Sequence, residues 1–246
     1  MTKEFFTNDT HRCIRFDQFT EQGDVQANQH LIVNQGRGML LDPGGMKLYS
    51  KIIIELPRYL PLNNLDYIFL SHQDPDVGAG LNGYLLTTNA KIYFPVIWER
   101  FIPSFSSKTL AADRLRAVPD EGMRLTLGGD DLLLVPAHFL HSPGNLQVYD
   151  PISKTLFSGD LGASLFPTHA SYRTVKNFDE HIQYMENFHR RYMASNKACR
   201  RWAEMVRSLD IERIAPQHGA MFEGKPLVRR LIEWIAQLQC GVDLIE

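Results

Sequence analysis

Short apolar runs that end in polar or turn residues recur along the chain and predict β-strands. Residues 30–34 and 38–42 flank Gln35-Gly36-Arg37 and predict a hairpin, and residues 67–71 predict a buried strand. Residues 13–16 predict an edge strand. Further strands are predicted at 91–95, 125–127, 132–135, 146–149, 155–158 and 211–216.

Other segments show helical rather than alternating periodicity. Apolar Leu48, Ile52 and Leu56 predict a helix over 46–56 that stops at Pro57. Other helices are predicted at 78–87, 96–102, 109–117, 179–192, 196–209 and 226–239, with a long loop over 161–174. Two sheets packed face to face with helices outside would bury these apolar faces, so we expect an α+β fold of the four-layer αββα type.

Length and composition narrow the class of protein. The 246 residues, 44% of them hydrophobic, suffice for a single domain spanning 1–246. The net charge of -2 gives no electrostatic footprint for nucleic acid. No apolar run approaches 18 residues and no cationic-then-apolar N-terminus occurs, so we expect no membrane span or signal peptide.

Cysteine usage excludes two kinds of site. Cys13, Cys199 and Cys240 are odd in number and scattered, with no Cys-x-x-Cys spacing. A disulfide scaffold or a rubredoxin-like iron site does not fit this pattern. The default expectation is a cytoplasmic protein.

Polar residues after the predicted strand 67–71 carry candidate chemistry. His72, Asp74 and Asp76 stand at alternate positions, and Pro75 between the two carboxylates takes the segment out of a sheet ladder. Two neighbouring carboxylates repel unless a cation or a proton compensates them. The segment therefore predicts a metal site, the alternative being a solvated acidic turn with a chance histidine.

Three other apolar runs also end in metal-ligating residue types. His138 and His141 follow the strand at 132–135, Asp160 follows 155–158, and His218 follows 211–216. Four such strand ends in one chain favour a shared metal site over four independent polar turns.

The order and gaps of these motifs resemble the metallo-β-lactamase superfamily. The residues are His72-x-Asp74-x-Asp76, then His141, Asp160 in Ser-Gly-Asp-Leu-Gly and His218 in Pro-Gln-His-Gly, with 63 residues between Val77 and His141, 18 to Asp160 and 57 to His218. A carboxylate at Asp74, where zinc hydrolases of the superfamily carry histidine, resembles the di-iron branch, namely flavodiiron proteins and oxygen-binding di-iron proteins. The resemblance covers nearly the whole chain.

The resemblance implies a dinuclear centre with six protein ligands. One metal takes His72, Asp74 and His141, the other takes Asp76 and His218, and Asp160 bridges them. This hard set without thiolate favours two iron ions, with two zinc or two manganese ions as alternatives. His30 and His169 are further candidates for the pocket. His138 is expected in packing or beside the ligands, and His181 and His189 on the surface.

Two positions depart from the family pattern. The family commonly has glutamate where Asp74 stands and histidine where Val77 stands, and valine cannot bind metal. Either the second metal keeps an open position for a diatomic gas, or it binds weakly and the site is partly mononuclear.

The function implied is that of a di-iron protein that binds, and in some members reduces, dioxygen or nitric oxide. Flavodiiron proteins carry a flavodoxin domain after the metal domain, whereas this sequence ends 28 residues after His218 without a Gly-rich flavin loop. We therefore expect no flavin, a separate electron donor or signalling protein, and an oxygen sensor or a partner-dependent reductase. A homo-oligomer is also expected.

Two other functions remain open at this point. In a dinuclear zinc hydrolase, a metal-bound hydroxide would attack an ester, thioester or amide. A binding module with a degenerate site at Val77 is the third. Asp74 in place of the usual histidine argues against the hydrolase.

Overall fold

The computed structural model describes residues 2–17, 19–21, 24–105, 113–167 and 172–245. Its first sheet has seven strands in chain order, with antiparallel pairing up to β4 and parallel pairing from β4 to β7. The strands are β1 (Thr2–Thr7), β2 (His11–Phe16), β3 (Gln29–Asn34), β4 (Arg37–Leu41), β5 (Leu65–Phe69), β6 (Lys91–Pro95) and β7 (Leu115–Val118).

The second sheet has six strands in the order β13-β12-β11-β10-β9-β8. Only β11 and β12 pair in parallel, and the remaining neighbours are antiparallel. The strands are β8 (Met123–Leu127), β9 (Asp130–Pro136), β10 (Leu146–Asp150), β11 (Thr155–Gly159), β12 (Arg213–Pro216) and β13 (Phe222–Glu223).

Helices cover the outer face of each sheet. The first sheet is covered by α1 (Met46–Glu55), α2 (Pro75–Gly78) and α3 (Leu81–Thr87), and the second by α4 (Phe178–His181), α5 (Glu186–Tyr192), α6 (Asn196–Val206) and α7 (Lys225–Gln237). A third apolar cluster, which includes Ile32, Phe69 and Val148, lies between the sheets. The fold is therefore α+β with the expected four αββα layers. No helix in the described ranges is long and apolar enough to cross a membrane.

The predicted edge strand at 13–16 is not at the edge. Strand β1 pairs with β2 and takes the outer position. The pairing shifts register between Glu4 and Phe6, as in a β-bulge, so Phe5 and Phe6 break the alternation that marks a strand in sequence.

The predicted helix at 109–117 is wrong in its described part. Leu115–Val118 forms β7, which pairs in parallel with β6 through Ile92 opposite Leu115 and Pro95 opposite Val118. Residues 109–112 lie outside the described residues. Pairing with a neighbouring strand decides the conformation of this short segment over its local preference. The predicted helix at 96–102 is two 3-10 turns, Val96–Trp98 and Ile102–Phe105.

The predicted continuous helix over 179–192 is divided. A 3-10 turn at Ile182–Tyr184 separates α4 from α5. The Tyr184 carbonyl accepts a hydrogen bond from the Leu165 amide at 2.9 Å, so a loop takes an acceptor that a continuous helix would use.

The expected exposure of His181 and His189 is also wrong, because both side chains are fully buried. His189 Nε2 accepts from the Gly162 amide at 2.9 Å, and His181 Nδ1 lies 2.6 Å from the Tyr172 hydroxyl. His189 lies one helical turn after Met185, which is also buried, so this turn of the helix faces inward.

Candidate metal centre

The ends of four strands meet at one edge of the sandwich. Strand β5 of the first sheet leads into His72, while β9, β11 and β12 of the second sheet lead into His141, Asp160 and His218. The three strands of the second sheet run in the same direction, since β9 and β11 are both antiparallel to β10 and β12 is parallel to β11. The topology therefore brings residues distant in sequence to one place.

Three of the six predicted ligands form a tight group. The Nε2 atoms of His72 and His141 lie 3.6 and 3.5 Å from Asp74 Oδ2. Donor atoms of these residues all lie within 4.8 Å of one another, which is close enough to bind one metal ion.

The other side of the site is built around His218. Its Nε2 lies 3.3 Å from Asp76 Oδ2 and 3.4 Å from Asp160 Oδ1. Asp76 is half-exposed, whereas His218 is buried. This second group therefore faces solvent more than the first.

Asp160 lies between the two groups. Its Oδ2 is 2.8 Å from His141 Nε2 and 3.8 Å from His72 Nε2, and its Oδ1 faces His218. One carboxylate with an oxygen toward each group has the arrangement that a bridging ligand needs.

Opposite charges in the centre shift the pKa values of its histidines and of Asp160. Burial alone would lower the pKa of His72, but Asp160 and the hydrogen bond with Asp74 raise it to about 9. The pKa of His218 is likewise lowered by burial and, on balance, raised well above its usual value by Asp160 and Asp76. Burial would raise the pKa of Asp160, but His72 and the other two histidines hold it well below its usual range. Without a metal, imidazolium protons supply the positive charge that these carboxylates need.

Hydrogen bonds behind two of the histidines turn Nε2 toward the centre. His72 Nδ1 is hydrogen-bonded to the Ser71 hydroxyl at 2.8 Å, and His218 Nδ1 donates to the Gln26 carbonyl at 2.8 Å. Such contacts fix the ring orientation of metal-binding histidines. The donor set and its orientation therefore fit a pair of metal ions.

Asp42 anchors the loop that carries His72. This buried residue has a φ of 47°, and its Oδ1 accepts from the Ser71 amide at 2.8 Å. Burial raises the pKa of Asp42 to about 6, against the lowering effects of His72 and the Ser71 amide. Asp42 thus ties the end of β4 to the end of β5 beside the centre.

Aromatic rings adjoin His141. The ring centres of Phe188 and Tyr192 lie 6.0 and 5.7 Å from the centre of its imidazole ring. Both come from α5, so this helix limits access of water to one side of the centre.

The other residues that the sequence analysis considered for the site lie in different surroundings. Val77 is fully buried in the apolar cluster between α1, α3 and the first sheet. His138 Nε2 lies 2.8 Å from the Asp120 carbonyl oxygen. His30 is buried beside the rings of Phe5 and Phe157, and burial followed by the charge of Arg15 lowers its pKa to about 3. His169 lies outside the described residues.

Sequence reasoning did not identify the residues that support the ligands. Ser71 directly precedes His72, so its position was a usable signal. Gln26 precedes β3 and Asp42 follows β4, and only the fold brings them to the site.

Comparisons with known proteins identify the family of this chain and its structural relatives. A family model described as "ODP family beta lactamase" matches residues 25–219. A structure described as "Peroxy diiron species of chemotaxis sensor ODP" is 41% identical, with a TM-score of 0.88 over 99% of this chain and 97% of that chain. The apo state of chemotaxis sensor ODP from T. denticola is 39% identical, with a TM-score of 0.89 over 100% of this chain and 97% of that chain.

A curated relative with more distant similarity is the putative diflavin flavoprotein A 4 of Synechocystis sp. It is 31% identical over 221 residues, which cover 86% of this chain and 34% of that protein. The chain spans about half or less of the length of the first curated relatives it matches.

Proposed function

Because the chain belongs to the ODP family of β-lactamase-like domains, we propose that it is a non-haem di-iron protein that binds dioxygen. The observation that carries the proposal is Asp160, whose two carboxylate oxygens face histidines of two separate ligand groups. The similarity to the chemotaxis sensor over nearly the full length of both chains supports dioxygen as the ligand.

We assign the six protein ligands to two iron positions. The first position takes His72, Asp74 and His141, the second takes Asp76 and His218, and Asp160 bridges the two. Three carboxylates and three imidazoles without thiolate suit iron. When bound, two ferrous ions supply the electrons that dioxygen accepts.

The chain's own residues hold and orient this centre. Ser71 and Gln26 fix the rings of His72 and His218, so that each presents Nε2. The second position has only Asp76, Asp160 and His218 from the protein, one ligand fewer than the first, so it would leave more coordination sites open. We propose that this position accepts the gas. Phe188 and Tyr192 shield the side of His141 from water.

Sensing is the role we favour over reduction. The support is that the two structures at 41% and 39% identity carry the description of a chemotaxis sensor and match the chain end to end. We propose that its partner is a signalling protein and that nitric oxide is a second ligand. We also propose that this chain binds no flavin. We also predict a single domain and a cytoplasmic location. A homo-oligomer remains a further prediction, which light scattering would test.

Metal content and an optical spectrum test the proposal. The protein is purified without air from iron-replete cells, its iron, zinc and manganese are counted, and dioxygen is then admitted. We expect about two irons per chain and a new charge-transfer band. His141→Ala should abolish the band, whereas His138→Ala should keep it, because His138 contacts the Asp120 carbonyl instead of the centre.

The opposite result would identify the other function. Two zinc ions per chain and no spectral change with dioxygen would reject the di-iron proposal. The protein would then be screened as a hydrolase of esters, thioesters and amides. Iron that binds but does not respond to dioxygen would reject the gas while leaving the ligand assignment in place.

A further inference from the structure

A second cluster of metal-binding residue types lies between the two sheets, away from the carboxylate-rich centre. His11 begins β2, Cys13 follows on the same strand, and Asp150 ends β10 of the opposite sheet. Strand β10 runs antiparallel to β9 and β11, so its end lies at the opposite edge from Asp160 and His141. All three side chains are fully buried.

The donor atoms have spacings close to those around a single metal ion. Cys13 Sγ lies 3.6 Å from His11 Nε2 and 3.5 Å from Asp150 Oδ2. A tetrahedral zinc ion with ordinary bond lengths separates sulfur from nitrogen or oxygen by about 3.5–3.6 Å. His11 Nε2 and Asp150 Oδ2 are closer, at 2.7 Å, and would separate by roughly 0.6 Å around such an ion.

Neighbouring groups orient His11 as in known metal sites. The Asn34 amide donates to the Leu127 carbonyl at 2.8 Å and to Asp130 Oδ2 at 2.9 Å, which leaves its Oδ1 to accept from His11 Nδ1 at 3.0 Å. In a neutral ring with a protonated Nδ1, Nε2 carries a lone pair. That lone pair faces a buried carboxylate at 2.7 Å, so a cation must lie between them, either a proton or a metal ion.

We propose that His11 Nε2, Cys13 Sγ and Asp150 Oδ2 bind one structural zinc ion. Thiolate with imidazole is the donor combination that zinc favours, and no thiolate is among the six ligands of the iron centre. The Ser153 hydroxyl donates to Asp150 Oδ2 and would orient that carboxylate. Zinc binding would release two protons, one from the Cys13 thiol and one from the His11 imidazolium.

This ion would join the two sheets at the edge opposite the iron centre. His11 and Cys13 belong to the first sheet and Asp150 to the second, so one ion replaces hydrogen bonds that cross the core. Because the three ligands are inaccessible in the folded chain, the ion would enter as the chain folds.

X-ray absorption at the zinc edge tests the proposal on the full-length protein from cells supplied with zinc and iron. We expect one zinc per chain beyond the iron, with one sulfur neighbour at about 2.3 Å. Cys13→Ser should remove both. The matched variant Cys199→Ser/Cys240→Ser should keep both, since those two buried thiols lie 3.8 Å from each other and the chain has only three cysteines.

Zinc without a sulfur neighbour in the wild-type protein would overturn the proposal, as would loss of the sulfur signal in the double variant. If Cys13→Ser does not fold, the double variant decides alone, because Cys13 is then its only thiol. Zinc in the iron centre cannot imitate the result, because its six assigned ligands include no sulfur.

Discussion

In the proposed assignment, Asp160 is the one side chain shared by both iron positions. It contacts three imidazoles within 3.8 Å through two different oxygens. We therefore expect Asp160→Ala to lose both irons. Each position loses a ligand, and no carboxylate then offsets the repulsion between the two metal ions. Iron counted per chain after anaerobic purification checks this, with His138→Ala as the control that keeps both. Full iron content in Asp160→Ala would refute the bridging assignment.

Protons and metal compete for the same imidazole nitrogens. The pKa of His72 is raised to about 9 in the metal-free chain, against the lowering effect of burial, by Asp160 and Asp74. Below pH 9 a metal ion must therefore displace this proton, so affinity should rise with pH by about tenfold per unit for each proton displaced.

Calorimetry with manganese(II) between pH 6.5 and 8.5 measures that competition. Titration in two buffers with different heats of ionisation gives the number of protons released. We expect at least one proton per chain on filling the first position. Binding without proton release at pH 7 would contradict the charge state inferred for His72.

At the scale of elements, the helices α2 and α3 are held against the turn after β4 by backbone contact. Gly80 donates to the Gly44 carbonyl at 3.0 Å, and a Cβ at Gly80 would lie 2.8 Å from that oxygen and 3.1 Å from the Gly45 carbonyl. Gly80→Ala should destabilise the chain by about 1–3 kcal/mol through overpacking. It should also weaken the second iron position, because α2 carries Asp76.

Gly78→Ala is the matched control for that substitution. A Cβ at Gly78 would meet the Phe105 ring at 3.5 Å, which is an ordinary contact. We expect Gly78→Ala to leave thermal unfolding and iron content near those of the wild-type protein. Equal effects of the two alanines would show that the close approach at Gly80 does not hold the helices in place.

Element prediction succeeded where one local pattern matched the tertiary environment. The hairpin around Gln35-Gly36-Arg37 and the strand β6 were predicted correctly because each is a run of buried residues with clear ends. The divided helix before Tyr192 and the strand β7 were not, because a hydrogen bond from Leu165 and pairing with β6 decide them.

The same contrast holds within the candidate centre. The six proposed ligands could be selected from sequence because each follows a strand end in the order of a known family. Gln26 could not be, since it contributes a backbone carbonyl that any residue would offer. The cluster of His11, Cys13 and Asp150 was also missed, because Asp150 lies 137 positions from Cys13 and 139 from His11, on the other sheet.

At the scale of the whole molecule, several neutral buried histidines make stability depend on pH. Burial lowers the pKa of His189 to about 4, and burial followed by the charge of Arg15 lowers that of His30 to about 3. Both rings have a pKa near 6.5 in an unfolded chain. As the pH falls from 6.5 to 4, the unfolded chain therefore takes up protons that the folded chain does not, and the free energy of unfolding must decrease.

Comparing slopes isolates the contribution of His30. Each such histidine contributes about 1.4 kcal/mol per pH unit to the slope of unfolding free energy over this interval. His30→Leu should lower the slope by about that amount, whatever it does to stability at pH 7. Phe5→Leu removes a ring that contacts His30 without removing a titratable group, so its slope should match the wild type. Urea unfolding of metal-depleted protein at pH 4.5, 5.5 and 6.5 measures all three slopes. An unchanged slope in His30→Leu would mean that His30 takes up its proton in the folded chain as it does in the unfolded chain, contrary to its lowered pKa.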